Sequence, residues 1–270
     1  MSNAAVSKNV GELEAHLGVR LLNRTTRKMS LTEAGSIYYE RTVRLLDDLV
    51  EADDAVGELT AKPRGRIRVT APMSWGLLRL APIVPNFLAS YPEIVVDLEF
   101  SDLRVDIVDR QFDIAIRGQG ALSDSSLIAR KLSDIDRVIC ASPDYFERAG
   151  RPEHPSDLGQ HCCLIYSHSN DPDVWRLTRQ SKTYAATVSG TYWVNNSLAL
   201  RSALLEGTGI ALIPRDYIRE DLDAGRLEPI LGDWKPEPQA LHMIYASTSH
   251  LPSRVRLFLD YVGQRLSGTP

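Results

Sequence analysis

From Thr32 to Thr60, side chains that can pack recur in alternating steps of four and three: Tyr38, Thr42, Leu45, Leu49, Ala52, Val56 and Leu59. This is a heptad seam, the pattern of a long helix packing against another helix. Tyr39, Leu46 and Val50 widen the stripe, and Glu40, Asp47, Asp48, Glu51 and Asp54 fill a water-facing side. Ser30 with Glu33 could form a capping box, and Thr32 is an equally good N-cap. Lys62-Pro63-Arg64-Gly65 stops the run. A helix of roughly 28 residues would span about 42 Å, too long for the core of a small domain. The pattern therefore predicts a linker helix that pairs with its twin and joins two different modules.

Before it, Val6, Val10, Leu13 and Leu17 share one helical face, closed by Gly18. Ala4, Lys8, Gly11 and Ala15 lie opposite, a narrow polar surface of small residues and one lysine that could enter a major groove. A short apolar run from Val19 to Leu22 leads to Asn23-Arg24-Thr25-Thr26-Arg27-Lys28, a basic tip suited to phosphates or to water.

After Gly65 the rhythm changes to short apolar strands alternating with amphipathic helices. Strands are predicted at Ile67 to Ala71, Ile94 to Phe100 and Phe112 to Arg117. Between them come a helix from Ser74 to Leu88, with Leu77, Leu80, Ala81, Val84 and Leu88 inward, and a short helix near Val105 to Asp109. That β-α-β-α-β order predicts a parallel sheet. Further strands are expected at Leu127 to Leu132, Val138 to Ala141, Cys163 to Tyr166, Tyr192 to Val194, Ile210 to Ile213 and Leu241 to Tyr245. Polar-alternating strands at Val174 to Leu177 and Ala185 to Val188 suit a sheet edge. Helices are expected at Pro143 to Ala149, Ser197 to Glu206, Pro214 to Gly225 and Pro252 to Leu266, the last with Val255, Phe258, Leu259 and Val262 inward. The fold class is α/β, with two such units and a late strand and helix free to return to the first, which suggests a bilobed clamp.

Composition adds little until the charge is divided. The chain has 270 residues and a net charge of −4. Residues 1–32 carry five cations against two acids, and residues 33–60 eight acids against two cations. A basic head, an acidic helix and a near-neutral body suggest that a polyanion binds the head. No apolar run approaches the roughly 20 residues needed to cross a bilayer. Cys140, Cys162 and Cys163 suit a reducing cytoplasm and buried structural roles better than a disulfide framework.

Enzymatic and metal chemistry find no foothold. There is no G-x-S-x-G elbow, no G-x-x-x-x-G-K-[ST] loop and no H-E-x-x-H. His154, His161, Cys162, Cys163 and His168 crowd together, but their spacing matches no standard zinc grip. No catalytic residue, metal site or cofactor is expected.

The string AAVSKNVGELEAHLGVRLLNRTTRKMSLTEAG resembles the recognition helix, wing and linker-helix start of LysR-type transcriptional regulators. The phrases GRIRVTAPMS, FDIAIRG, NNSLAL, EGTGIALIP and PSRVRLFLDY resemble the effector domain of the same family. That domain in turn resembles type 2 periplasmic solute-binding proteins. The resemblance implies a partial winged helix-turn-helix at 1–31, a linker and dimerisation helix at 32–62, and a bilobed periplasmic-binding-protein-like effector domain at 63–270. Lobe one would hold 65–139 and 243–270, and lobe two 140–242. About thirty residues that open the family's head precede Ser2 in no form here, so weak operator binding by this polypeptide is expected. A stand-alone cytosolic small-molecule-binding protein is the alternative function.

Carried onto this sequence, Ser2, Asn3, Ala4, Ser7 and Lys8 lie where groove contacts with double-stranded DNA are made, and Arg24, Thr26 and Arg27 where the wing meets the backbone. In open α/β sheets, ligands sit beyond the carboxyl ends of strands. This points to Met73, Ser74, Trp75, Arg117, Gly118, Tyr192, Asn195, Asn196 and Ser197 for a small effector, with helix starts and Arg117 favouring a carboxylate. Ser74, Asn195 and Asn196 can equally be plain N-caps, and Arg117 can pair with Asp113 or an interlobe acid. The expected partners are DNA, the effector, and further copies in a homodimer or homotetramer, with no membrane.

Overall fold

A computed structural model describes residues 3–24, 29–56, 63–103, 112–118, 127–246 and 251–267. The chain divides into two compact units, Met1–Lys62 and Pro63–Pro270.

The first unit opens with helix α1 (Asn3–Leu17), which Gly18 ends at φ 68°, a conformation that glycine adopts without a Cβ penalty. An antiparallel hairpin follows, β1 (Leu22–Arg24) against β2 (Met29–Leu31), in the register Leu22 to Leu31. Then comes α2 (Glu33–Val56), 24 residues or about 36 Å long. Thr32 is its N-cap: the hydroxyl accepts from the Gly35 N–H at 2.9 Å and donates to the Arg20 carbonyl at 2.7 Å. Gly35 is required because a Cβ there would lie 2.0 Å from the Leu21 carbonyl oxygen. Within one chain, Leu45 and Leu49 of the seam are 68% and 60% exposed. Leu59 lies outside the described residues.

The second unit begins with β3 (Gly65–Ala71), whose Ile67, Val69 and Ala71 are fully buried. The helix expected from Ser74 to Leu88 is broken into three parts. α3 (Met73–Trp75) passes into a π-helical turn (Gly76–Leu80), and α4 (Val84–Ser90) follows. The Ala81 N–H reaches back five residues to the Gly76 carbonyl at 2.8 Å, while Pro82 has no N–H to continue a helix. The wider winding turns Leu77 outward, 47% exposed, against the expectation that it points inward, and Leu80 alone of that turn's leucines is fully buried. Gly76 admits the Phe100 ring, which a Cβ would approach to 2.4 Å.

Strands β4 (Ile94–Phe100), β5 (Ile114–Gly118) and β6 (Leu127–Ile135) continue the sheet. The helix expected near Val105 to Asp109 lies outside the described residues. At Asp136 the chain leaves for a second sheet with β7 (Arg137–Ala141). Next come α5 (Pro143–Ala149) and β8 (Cys162–Tyr166), then the hairpin β9 (Val174–Arg179) and β10 (Lys182–Thr187), then β11 (Ser189–Val194). α6 (Ser197–Leu205) and β12 (Ile210–Pro214) follow. The single helix expected from Pro214 to Gly225 is a 3-10 turn (Arg215–Tyr217) and then α7 (Arg219–Asp223). β13 (Glu228–Ile230) and β14 (Lys235–Pro236) end this excursion. β15 (Gln239–Ala246) and α8 (Ser253–Leu266) return to the first sheet.

The first sheet has the order β4-β3-β5-β15-β6. β3, β4 and β5 are parallel as predicted, but β15 runs antiparallel to both β5 and β6, so the sheet is mixed. The second sheet, β11-β8-β12-β7-β13, is mixed in the same way. Each sheet has its own core. One packs Phe87 edge-on against Phe258 at 5.1 Å, with Val255, Leu259 and Val262 of α8 buried beside them. The other gathers Phe146, Leu158, Trp175, Leu177, Leu200 and Leu204. Burial of a large aliphatic or aromatic side chain stabilises by about 1.5–3 kcal/mol, so each lobe has its own source of stability.

Candidate functional site

In the head, α1 places Ser7 and Lys8 on its exposed side. Lys8 lies 3.7 Å from Glu12, an exposed pair that contributes little and leaves the ammonium available to a stronger anion. Asn3 and Ala4 start the same helix, and Arg24 ends β1. Ser2, Thr26 and Arg27 lie outside the described residues. The sequence reading passed over Glu14, which ties these parts together. Its carboxylate accepts from the Leu21 and Leu22 N–H groups at 2.8 and 3.0 Å, fastening the helix to the hairpin. An acid near a helix end just before a glycine stop and a short apolar run was the available signal.

In the second unit, the carboxyl ends of β3, β4 and β5 meet the second lobe. Ser74, 4% exposed, donates from its hydroxyl to the Asn196 side-chain oxygen at 3.3 Å, one lobe to the other. That same oxygen caps α6, accepting from the Leu198 N–H at 2.9 Å and the Ala199 N–H at 3.3 Å. The second and third N–H groups of α6 are therefore already satisfied. Arg117 does not pair with Asp113, whose carboxylate accepts from the Arg68 N–H at 2.7 Å. It donates instead to the Thr70 hydroxyl and the Ile116 carbonyl, both at 2.8 Å. Burial pulls its guanidinium below the ordinary value, against the charges of Asp102 and Glu99.

Asp102 was not anticipated, though the rule that selected Ser74 applies to it equally: it follows the end of β4. Its carboxylate accepts from the Met73 N–H at 3.1 Å. Burial holds the carboxyl above the usual range, opposed by that hydrogen bond and by the charges of His168 and Arg117. From the other lobe, His168 Nδ1 meets the Asp102 carbonyl at 3.1 Å. Tyr166 and Tyr217 feel the Asp102 charge, and Tyr217 packs against both cores. A third bridge, Arg79 to Asp216 at 3.2 Å, stands beside a cavity of about 30 Å³ lined by Trp75, Tyr217 and Leu241 among others.

The structure thus brings Met73, Ser74, Arg117 and Asn196 to one seam. Trp75 is 7% exposed and packs largely into the lobe-one core. Tyr192 lies on the outer strand β11, Asn195 is exposed before α6, Ser197 begins that helix, and Gly118 ends β5 beside open space.

The histidines and cysteines do other work. His154 caps the turn Pro155–Gln160, and His161 meets the Tyr145 hydroxyl at 3.1 Å. Cys140 and Cys163 are buried, and desolvation pushes both thiols up to about 12, which disfavours the reactive thiolate. Among the described residues, no three His, Cys, Asp or Glu side chains gather as a metal site, and no helix is long and apolar enough to cross a membrane.

The LysR substrate binding domain family matches residues 60–267, and the bacterial regulatory helix-turn-helix protein family, lysR type, matches residues 1–36. The chain is 36% identical over 255 residues to an HTH-type transcriptional regulator of Haemophilus influenzae, covering 94% of this chain and 88% of that protein. It is 35% identical over 268 residues to the regulator CrgA of Neisseria meningitidis, covering 98% and 89%. The full-length structure of the Vibrio cholerae virulence activator AphB superposes with a TM-score of 0.69 at 33% identity, covering 98% and 91% of the two chains. The CrgA structure gives 0.69 at 32% identity, covering 100% and 91%.

Proposed function

The chain belongs to the LysR family of DNA-binding transcription regulators with an effector-binding domain, and from that membership we propose how its parts divide the work. The head contacts double-stranded DNA through Ser2, Asn3, Ala4, Ser7 and Lys8 in a major groove and through Arg24, Thr26 and Arg27 on phosphates. Two copies pair along the Tyr38 to Leu59 seam, giving a homodimer or a homotetramer. The protein works in the cytoplasm, and it regulates rather than catalyses.

A small molecule carrying a carboxylate binds between the lobes and changes how the oligomer holds DNA. One observation carries this reading: the lobes are joined at their seam by Ser74 to Asn196, and His168 to Asp102, polar contacts that an intruding molecule must replace. A ligand can shift the lobes only by the difference in its affinity for their arrangements, and replacing such contacts supplies that difference. The test is hydrogen exchange on the full chain with hits from a metabolite library. Protection should concentrate at residues 70–75, 101–103, 166–168 and 195–199. Protection confined to other regions would remove the cleft reading, and a set of hits without any acid would remove the carboxylate.

A further inference from the structure

In the lobe-one sheet β3 lies between β4 and β5, and all three strands run parallel. Their carboxyl ends therefore lie along one edge, and each delivers a different group to it. β4 leads to Asp102, β5 carries Arg117 at its next-to-last residue, and β3 leads through Thr70 to Ser74. With strands about 4.8 Å apart, the backbones of β4 and β5 stand about 10 Å from each other across the end of β3.

An anion and a cation so placed would ordinarily close into a pair. These two act on each other's charge, yet their hydrogen bonds go elsewhere. Arg117 donates to Ile116 and Thr70, and Asp102 accepts from the Met73 N–H. A guanidinium has five donors, so Arg117 retains several after those two bonds. Glu99, further back on β4, also acts on Arg117. Lobe two covers the place: His168 meets the Asp102 backbone at 3.1 Å, and burial and the Asp102 charge push the Tyr166 and Tyr217 phenols up.

A ligand with a single charge would satisfy one side and leave the other desolvated beneath lobe two, which costs free energy. A ligand with both charges satisfies both. We propose that the cleft is built for an amphoteric small molecule, with a primary ammonium held by Asp102 and a carboxylate held by Arg117, as a free amino acid would present them. The proposal rests on the reading that this cleft is the effector site.

The test uses the full-length chain, isothermal calorimetry and a panel of the twenty common L-amino acids. For each hit, the matching decarboxylated amine and deaminated acid are titrated. At least one amino acid should bind, with both single-charge relatives at least tenfold weaker. Asp102→Asn should erase the preference for the amino acid over the deaminated acid, and Arg117→Gln the preference over the amine. Should Arg117→Gln not fold for want of its Thr70 and Ile116 bonds, Arg117→Lys keeps the charge and should weaken the amino acid more than the amine. Equal binding of the deaminated acid, unmoved by Asp102→Asn, would overturn the amphoteric class and leave a plain carboxylate cleft. A panel without any binder would also overturn it, while the location of the effector would still be decided by the exchange experiment.

Discussion

Asp221 is the buried acid whose loss should be felt furthest. It is 1% exposed, and two arginines grip it: Arg201 of α6 at 2.5 and 3.0 Å, and Arg226 at 2.9 and 2.6 Å. Burial alone would raise its pKa, but hydrogen bonds from Arg201 and then Arg226 hold it below the usual carboxylate range. A charge-assisted pairing contributes about 1.5–3 kcal/mol; counting one per arginine, and taking the lower end because both arginines are partly exposed, Asp221→Ala should cost about 3 kcal/mol. For a unit of this size, each kcal/mol lowers the melting temperature by about 2–4 °C, giving a fall of about 6–12 °C in thermal denaturation at pH 7.

A depressed folded pKa contributes stability that is fully present above the unfolded value of 3.8 and is lost as pH falls through the folded one. The gap between wild type and variant should therefore stay constant near neutrality and shrink in acid. A shift below about 2 °C at pH 7, against the 6–12 °C expected, would refute the clamp. So would a gap that persists undiminished in strong acid. Because α6 starts beside Asn196, the same variant should also bind effector more weakly.

Three further outcomes follow from the geometry. Thr32→Ala removes both bonds of the α2 cap and should cost about 1–2 kcal/mol of head stability, read as faster proteolysis between α1 and α2; an unchanged cleavage rate would contradict the cap. Leu45→Lys with Leu49→Lys should convert oligomers to monomers in sedimentation, and an unaltered profile would remove the seam. Asp102 has a raised folded pKa, so its effect is opposite to that of Asp221: stability declines as pH rises from the ordinary carboxylate value through the folded one. Asp102→Asn should accordingly raise the melting temperature at pH 7, with the gain vanishing in acid; a lower melting temperature at pH 7 would show that the charge stabilises the fold.

The elements that could be read from sequence were those in which local pattern and tertiary contact agree. β3, α8 and the parallel trio β3, β4 and β5 came from clean alternation or helical spacing. The π turn did not, because helical periodicity assumes a constant winding, and Pro82 with the Phe100 ring over Gly76 sets another. The β9–β10 hairpin turns at Gln180 and Ser181, both at positive φ, without the Asn-Gly signature that such turns usually carry. The antiparallel setting of β15 was hidden because a strand's direction depends on where the chain re-enters the sheet, not on its own residues. At the cleft, Ser74, Asn196 and Arg117 were visible as strand ends and helix starts. Asp102 fell under the same strand-end rule and was passed over, whereas His168 was not visible, since its contact arises only when two lobes meet.

The placement of β15 also governs the order in which the protein can be made. It fills the slot between β5 and β6, yet more than a hundred residues are synthesised between β6 and its arrival. Lobe two, formed from the continuous stretch between those strands, has all of its strands before β15 exists. Domains generally fold as units during synthesis at about 5–20 residues per second, so lobe two is complete first while β6 waits without its sheet neighbour. Lobe one closes only when the last helix has left the ribosome. A ribosome that stops short of residue 239 would release a finished lobe two attached to an open sheet edge, the kind of surface on which chains aggregate.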